Sequence, residues 1–187
     1  KLIAKPSQNS INKPFKTIIA NNVGHLIKLL KNKVDSPIDI IIQEYIEGDQ
    51  SNIWVALGYR STSGVFSPIV TGFKYLMFPS KGGIMAIGKL EKSDTLEKLT
   101  KKLITNMDYY GIFGLEFKYS KSNNKYYFIK MSPRTELFHN MTLLANIDLP
   151  MLAFNDLVLN KKDKIIQIDY SKNKFWINTR NCIESII

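Results

Sequence analysis

Apolar residues at the start of the chain fall in short runs separated by prolines and polar loops. Leu2 to Lys5 reads as a strand stopped by Pro6, which has no N–H to continue a ladder. Ser7 to Lys13 is a polar loop, and Pro14 precedes a second apolar run from Phe15 to Ile19. Asn22 is a candidate N-cap. Behind it, Val23, Leu26, Ile27, Leu30 and Val34 recur at the spacing of one helical face, up to a break at Pro37. Ile38 to Ile42 is a β-branched run that continues through Gln43, Glu44, Tyr45 and Ile46. It is predicted to be a buried strand leading out into Glu47-Gly48-Asp49.

The middle of the chain reads as an antiparallel sheet. Ile53 to Tyr59 and Val65 to Tyr75 are strand-like and are joined around Ser61-Thr62-Ser63-Gly64. A loop from Phe78 to Gly83 leads to a short strand, Ile84 to Ile87. Asp94 and Glu97 resemble a capping box before a helix that presents Leu96, Leu99, Leu103 and Met107 on one face. Gly111 and Gly114 sit at the start of a strand, Leu115 to Tyr119. Asn123-Asn124 is a hairpin turn into Tyr126 to Met131. Leu137 to Ala145 and Pro150 to Leu159 read as helices, and Ile165 to Ile168 and Phe175 to Ile177 as closing strands. The order β-β-α-β followed by a β-rich block with helices predicts an α+β fold rather than regular β-α alternation.

Composition narrows the function classes. The length of 187 residues suits one ordinary domain or two small lobes sharing a hinge. With 44% hydrophobic and 11% aromatic residues the chain is too rich for a disordered tail. The single cysteine, Cys182, excludes an internal disulfide and a cysteine zinc cluster, and fits a reducing, cytoplasmic setting. No apolar run approaches the ~20 residues needed to span a bilayer, and no signal peptide is recognisable. The chain opens without Met directly into a strand, so it is expected to be a piece of a longer protein. Its 26 Lys+Arg against 16 Asp+Glu leave a net charge of +10. That surplus points to an anionic partner such as a nucleic acid, a nucleotide triphosphate or an acidic metabolite, without separating them.

Four stretches carry candidate chemistry. Lys5 stands where Pro6 opens the sheet edge, and a compact ammonium there suits phosphate oxygens. Gln43-Glu44-Tyr45-Ile46 runs from an apolar strand into a polar hinge, whose backbone groups can serve an adenine edge. Asp49 and Gln50 lie just beyond, in reach of ribose hydroxyls. Glu116 sits among apolar neighbours on a strand, either as a Mg²⁺ ligand or as an outward-facing acid. Phe128 to Arg134 ends in an arginine after a Ser-Pro stop, placed to fork onto a phosphate or carboxylate.

In this order, the stretches resemble the ATP-grasp superfamily, in particular its carboxylate–amine ligase branch with the carbamoyl-phosphate-synthase-like and D-amino-acid ligases. The matching text is Ile3-Ala4-Lys5-Pro6, then Ile42-Gln43-Glu44-Tyr45-Ile46-Glu47-Gly48-Asp49. Gly72-Phe73-Lys74 follows, ahead of the Gly82-Gly83 loop, then Tyr110-Gly111-Ile112-Phe113-Gly114-Leu115-Glu116-Phe117. The Tyr127 to Arg134 strand and Leu144-Ala145-Asn146-Ile147-Asp148-Leu149-Pro150 close the match.

The resemblance implies two α+β lobes, 1–46 with its N-terminal part incomplete and 47–187 with a mainly antiparallel sheet, holding ATP between them. It implies a C–N bond-forming, Mg²⁺-dependent ligase that phosphorylates a carboxylate and hands the acyl phosphate to an amine or thiol. Small-molecule carboxylate and amine substrates follow from it, and a homo-oligomer is compatible. On this resemblance Lys5 touches the ATP phosphates. Gln43, Glu44, Tyr45 and Ile46 form the adenine hinge, and Asp49 or Gln50 takes the ribose. Lys74 and Arg134 serve the reacting groups, and Glu116 and Ser132 hold metal.

One departure matters. The family's closing Glu-x-Asn-Pro-Arg reads Lys130-Met131-Ser132-Pro133-Arg134 here, which changes the sign of a metal-site charge. Three readings stay open. The chain is a degenerate nucleotide binder in which Lys130 pairs with Glu116 or with phosphate, partly in place of metal charge. Or it is an active enzyme with fewer protein ligands for the metal. Or Lys130 points elsewhere because the register is off by one.

A basic single-stranded nucleic-acid-binding module is the rival class. It rests on Lys118-Tyr119, Lys125-Tyr126-Tyr127 and Lys172 to Trp176. The positives are spread along the chain rather than clustered, which favours a solvated surface. His25 reads as a surface residue and His139 as a structural one, although it falls near the final motif. Cys182 has no partner histidine nearby, and no Walker-type Gly-x-x-x-x-Gly-Lys run is present.

Overall fold

The computed structural model describes residues 1–7, 14–33, 38–80, 82–161, 167–170 and 172–185. The chain divides into two compact units, Lys1–Glu47 and Gly48–Ile187.

In the first unit, β1 (Leu2–Pro6) is the central strand of an antiparallel sheet, flanked by β2 (Ile18–Ala20) and β3 (Ile40–Glu44). Ala4 lies opposite both Ile18 and Ile42, and Ile3 opposite both Ile19 and Gln43. Side chains alternate across a sheet, so one face carries Leu2, Ala4, Ile18 and Ala20. These pack with Phe15 and with Leu26 from α1 (Val23–Lys31). The other face carries Ile3, Lys5, Ile19, Ile41 and Gln43. Asn22 caps α1 as predicted, its side chain accepting from the His25 N–H at 2.9 Å. Val34 and Pro37, the expected end of that helix, lie outside the described residues. The helix ends at Lys31 with Asn32 as its C-cap.

β3 departs from the prediction of a buried strand. Ile41 and Ile42 remain 43% and 54% exposed. β3 has a hydrogen-bonded neighbour on one side only, and three strands with one helix provide too little surface to cover a β-branched run on both faces.

The second unit is built on a six-stranded antiparallel sheet in the order β8-β7-β4-β5-β6-β9. Its strands are β4 (Ile53–Arg60), β5 (Val70–Phe78), β6 (Ile84–Leu90), β7 (Gly111–Ser120), β8 (Lys125–Ser132) and β9 (Phe175–Ile177). Alternation along β4 makes two cores. Ala56 joins Phe113, Leu115 and Phe117 under Leu96 and Ile104 of α2 (Asp94–Asn106). Val55, Leu57 and Tyr59 face the other way. There they meet Phe138 of a 3₁₀ turn (Leu137–Asn140), Met141 of α3 (Met141–Leu144) and Leu149 of α4 (Leu149–Leu157). The Tyr59 hydroxyl donates to Asp156 at 2.6 Å, tying β4 to α4. Gly72 is required by a close approach, since a Cβ there would lie 2.3 Å from the Lys89 carbonyl oxygen.

Several boundaries shift for local reasons. β5 starts at Val70, because Phe66 makes one isolated bridge to Arg60 and Pro68 has no N–H to donate. β6 runs on to Leu90, and β7 starts at Gly111 rather than Leu115. The helix expected over Leu137 to Ala145 is a 3₁₀ turn followed by the short α3. Of the strand predicted over Ile165 to Ile168, Ile165 and Ile166 lie outside the described residues, and 167–170 are not strand. β9 closes the sheet against β6, Ile87 opposite Ile177. Among the described residues no helix is long and apolar enough to cross a membrane.

The capping box assigned to Asp94 and Glu97 is replaced by Ser93. Its backbone is extended and its hydroxyl accepts from the Leu96 N–H at 3.2 Å. Asp94 and Glu97 lie instead in the first turn, where their charge suits the positive end of the helix dipole. The buried face is Leu96, Thr100 and Ile104, and Met107 is 46% exposed past the helix end. Ser93→Ala is expected to lower unfolding free energy by about 1 kcal/mol in urea titration, with no such loss for Asp94→Ala.

Candidate functional site

Lys74, Glu116 and Lys130 of the second unit share one face of the sheet, the face that also carries Val55 and Leu57. Val55 lies opposite both Gly72 and Glu116, and Glu116 lies opposite Lys130. Two residues along β5 from Gly72, Lys74 emerges on the same side. Its stem reaches over β4, which separates β5 from β7, to place Nζ 2.8 Å from Glu116 Oε2. Both groups are buried, with Lys74 5% and Glu116 6% exposed. The direct pairing of Glu116 with Lys130 also excludes the reading in which Lys130 points elsewhere.

Lys130 Nζ lies 3.2 Å from Glu116 Oε1, so each oxygen of Glu116 is matched by a different ammonium. The same Nζ is 3.5 Å from Glu136 Oε1. Sequence reasoning missed Glu136. It follows Arg134 by two positions and turns back over the end of β8. Its Oε1 accepts from the Ser132 hydroxyl at 2.7 Å and lies 3.5 Å from Arg134 Nη2. Burial pushes the Glu136 carboxyl up, but the Ser132 hydroxyl and the Lys130 ammonium outweigh it, and its pKa lies below the ordinary value. Burial likewise opposes the charge on Lys130, while Glu116 and Glu136 together raise its pKa. Both groups are therefore charged at neutral pH. Arg134 has its side chain 73% exposed, with most of its fork open to solvent.

His139 positions Glu136. Its ring is buried, and Nδ1 accepts the Glu136 N–H at 2.9 Å, which leaves the proton of the neutral ring on Nε2. The ring needs the space of a missing side chain, since a Cβ on Gly114 would lie 2.7 Å from His139 Cε1. The spacing Glu-x-x-His at 136 and 139 is the one sequence signal that could have located Glu136.

The remaining predicted positions are placed as follows. Lys5 lies opposite Ile41 on the open face of the first unit's sheet. Gln43 and Glu44 end β3, both exposed, while Tyr45 and Ile46 lie past it, the Tyr45 N–H bonded to the Lys1 carbonyl at 3.0 Å. Asp49 Oδ1 accepts from the N–H and hydroxyl of Ser51, at 2.8 and 2.5 Å, and the Ser51 hydroxyl lowers its pKa. Gln50 Oε1 accepts from the Met77 N–H at 2.9 Å. The Gly48 and Asp49 carbonyls are held by Lys118 Nζ, 2.8 Å from each, a partner the sequence did not indicate.

The Mg²⁺ that the resemblance implies does not fit this donor set. Both oxygens of Glu116 face ammonium groups, and Ser132, which donates to Glu136, brings a neutral hydroxyl and no charge to offset a dication. A Mg²⁺ ion needs oxygen ligands at about 2.0–2.1 Å in octahedral array, which would bring it against Lys130. Among the described residues no group of three or more His, Cys, Asp or Glu could hold a metal ion.

No family model matches the chain. A stretch of 69 residues, 36% of the chain, is 30% identical to acetyl-CoA carboxylase 1 of Arabidopsis thaliana and covers 3% of that protein. Among solved structures, the biotin carboxylase domain of the Hydrogenobacter thermophilus 2-oxoglutarate carboxylase, in complex with MgADP, ADP and bicarbonate, superposes with a TM-score of 0.67 at 13% identity. That match covers 90% of this chain and 39% of the other. N5-carboxyaminoimidazole synthetase from Staphylococcus aureus, complexed with ADP, gives a TM-score of 0.64 at 16% identity, over 95% and 46%. The phosphoribosylaminoimidazole carboxylase ATPase subunit of Aquifex aeolicus gives 0.59 at 18%, over 78% and 43%. The chain thus spans less than half of these solved structures and a small part of the carboxylase.

Two measurements probe the cluster. Glu116→Gln strands the buried Lys74 ammonium and is expected to cost about 3–5 kcal/mol, whereas Lys74→Met with Glu116→Leu removes both charges and restores most of that loss. Urea titrations of the single and double variants decide this. Burial, the first cause, holds the His139 pKa below the ordinary 6.5. A depressed folded pKa gives stability that is complete above the unfolded value and falls as pH drops toward the folded one. Stability should therefore decline as pH falls through the ordinary histidine range and below it, and His139→Asn, which keeps an acceptor near Nδ1, should flatten that decline.

Proposed function

We propose that this chain, whose fold is that of the ATP-grasp superfamily, is the ATP-binding core of a ligase that activates a carboxyl group as an acyl phosphate. The observation that carries the reading is the cluster of Lys74, Lys130 and Arg134 around only two carboxylates, with the Arg134 fork largely open. Three cations against two anions leave a positive surplus where a polyphosphate would be held. The curated relative and the solved structures, carboxylases and ADP-binding synthetases by name, support it.

In the first unit, Ile3, Ile19 and Ile41 form an apolar platform suited to a purine ring, with Lys5 beside them for phosphate. Within that unit, Gln43 to Ile46 offer hinge groups to the base. The carboxylate oxygen attacks the γ-phosphorus as the bond to the β–γ bridging oxygen breaks, and ADP leaves with the electron pair. The amine nitrogen then attacks the acyl carbon, loses its proton and expels phosphate. Arg134 neutralises charge spreading over the transferred phosphoryl oxygens, which is the main task a protein has in such a transfer, and Lys74 acts at one remove by holding Glu116 in the cluster. Bicarbonate is the first carboxyl substrate to test, since the curated relative is a carboxylase by name and the 2-oxoglutarate carboxylase structure is a complex with bicarbonate.

A second reading, a nucleotide-binding module without turnover, is favoured by Lys130, which holds both carboxylates in ion pairs. Hydroxylamine trapping separates the two readings. Acylhydroxamate formed from ATP and a carboxylate, or bicarbonate-dependent release of phosphate from ATP, supports the ligase, and ATP binding without either supports the module. In either case ATP should raise the melting temperature, and Arg134→Ala should weaken binding about tenfold or more. Salt-dependent binding of oligo(dT) with no ATP shift would overturn both in favour of a nucleic-acid module.

A further inference from the structure

The cluster raises a question that the nucleotide reading does not answer: which cation accompanies the phosphates. Glu116 and Glu136 are the acidic groups of the site, and Lys130 lies between them, 3.2 Å from one and 3.5 Å from the other. Lys74 takes the second oxygen of Glu116, and Ser132 and Arg134 converge on Glu136. Two carboxylates with Lys74, Lys130 and Arg134 sum to a single positive charge before any ion arrives. A divalent cation would raise that to three without adding a ligand, and it would have to displace an ammonium already matched to both acids.

We infer that Lys130 takes the place of a divalent cation, so that this site holds the phosphate tail of a nucleotide without metal. The inference rests on the nucleotide reading and adds the form of the ligand to it: the free tetra-anion rather than its magnesium complex. An ammonium offers three N–H donors. Glu116 and Glu136 occupy two of them, and the half-exposed Lys130 head has a third to give to a phosphate oxygen. Because the charge is tethered, it is present at every site whatever the metal concentration. Lys74 could not serve in the same way, since it is buried and its ion pair is internal to the sheet. The physical difference from a metal site is reach. Mg²⁺ draws several oxygens to about 2.0–2.1 Å at once, whereas an ammonium bridges acids and phosphate through separate, longer hydrogen bonds.

The test is isothermal titration of the full chain with ATP in EDTA and again in millimolar MgCl₂, with Mn²⁺ alone titrated as a probe of the empty site. Binding in EDTA at least as tight as in magnesium, with no uptake of Mn²⁺ alone, is the expected result. Binding about tenfold or more tighter in magnesium would overturn the inference and leave the nucleotide reading standing. Failure of ATP to bind in either buffer would overturn both. Lys130→Glu supplies a second arm, expected to lose binding in EDTA and recover it with magnesium. A folded Lys130→Glu protein that still binds ATP in EDTA as the parent does would count against the role given to Lys130.

Discussion

The ion pair between Lys74 and Glu116 is the constraint on which the rest of the second unit's site depends. A buried charge is tolerated only when it is matched, and here the match spans a strand. Lys74 leaves β5, passes β4 and meets Glu116 on β7 at 2.8 Å. The geometry works because Val55 of β4 pairs with both Gly72 and Glu116, which sets one row across three strands. It fixes one oxygen of Glu116 toward the sheet interior and turns the other toward β8. There Lys130 meets it and brings in Glu136, which Ser132 and His139 hold in turn. The site is a chain of dependent contacts whose first member is buried and whose last, Arg134, is open to solvent.

Such an arrangement is not an efficient way to stabilise a sheet. Apolar residues of similar volume would do as well without the desolvation cost of two charges. Its two charges instead hold polar groups in fixed positions across three strands. Gly114 points the same way. It gives up a side chain so that the His139 ring can sit against β7 and hold the Glu136 backbone.

Much of the fold was legible in the chain because the signals were local. Asn22 announces a helix start, and it caps one. Asn124 sits at a positive φ in the hairpin turn that Asn123-Asn124 predicts. The antiparallel block from Ile53 to Met131 follows from alternation and turn chemistry. The errors are equally physical. Ile41 and Ile42 were expected to be buried because a β-branched run reads as core, but burial depends on how many elements are available to cover a strand. Asp94 and Glu97 imitate a capping box, and only the extended backbone at Ser93 shows which residue stands outside the helix.

The residue types of the site were visible as well: a lysine at 74, an acid at 116, and a lysine where a carboxylate was expected at 130. The sequence by itself determined the α+β class, the antiparallel block and the sign change at 130, since each lies in composition, periodicity or a short motif. Only the tertiary structure decided what that sign change does. Lys74 and Glu116 are 42 residues apart, and their meeting depends on strand order and register rather than on any local pattern. The same holds for Glu136, an unremarked acid until the chain turns back over β8 and places it beside Lys130. Electrostatic partners are chosen by distance in space and by exclusion of water, and a linear chain specifies neither until the sheet has formed.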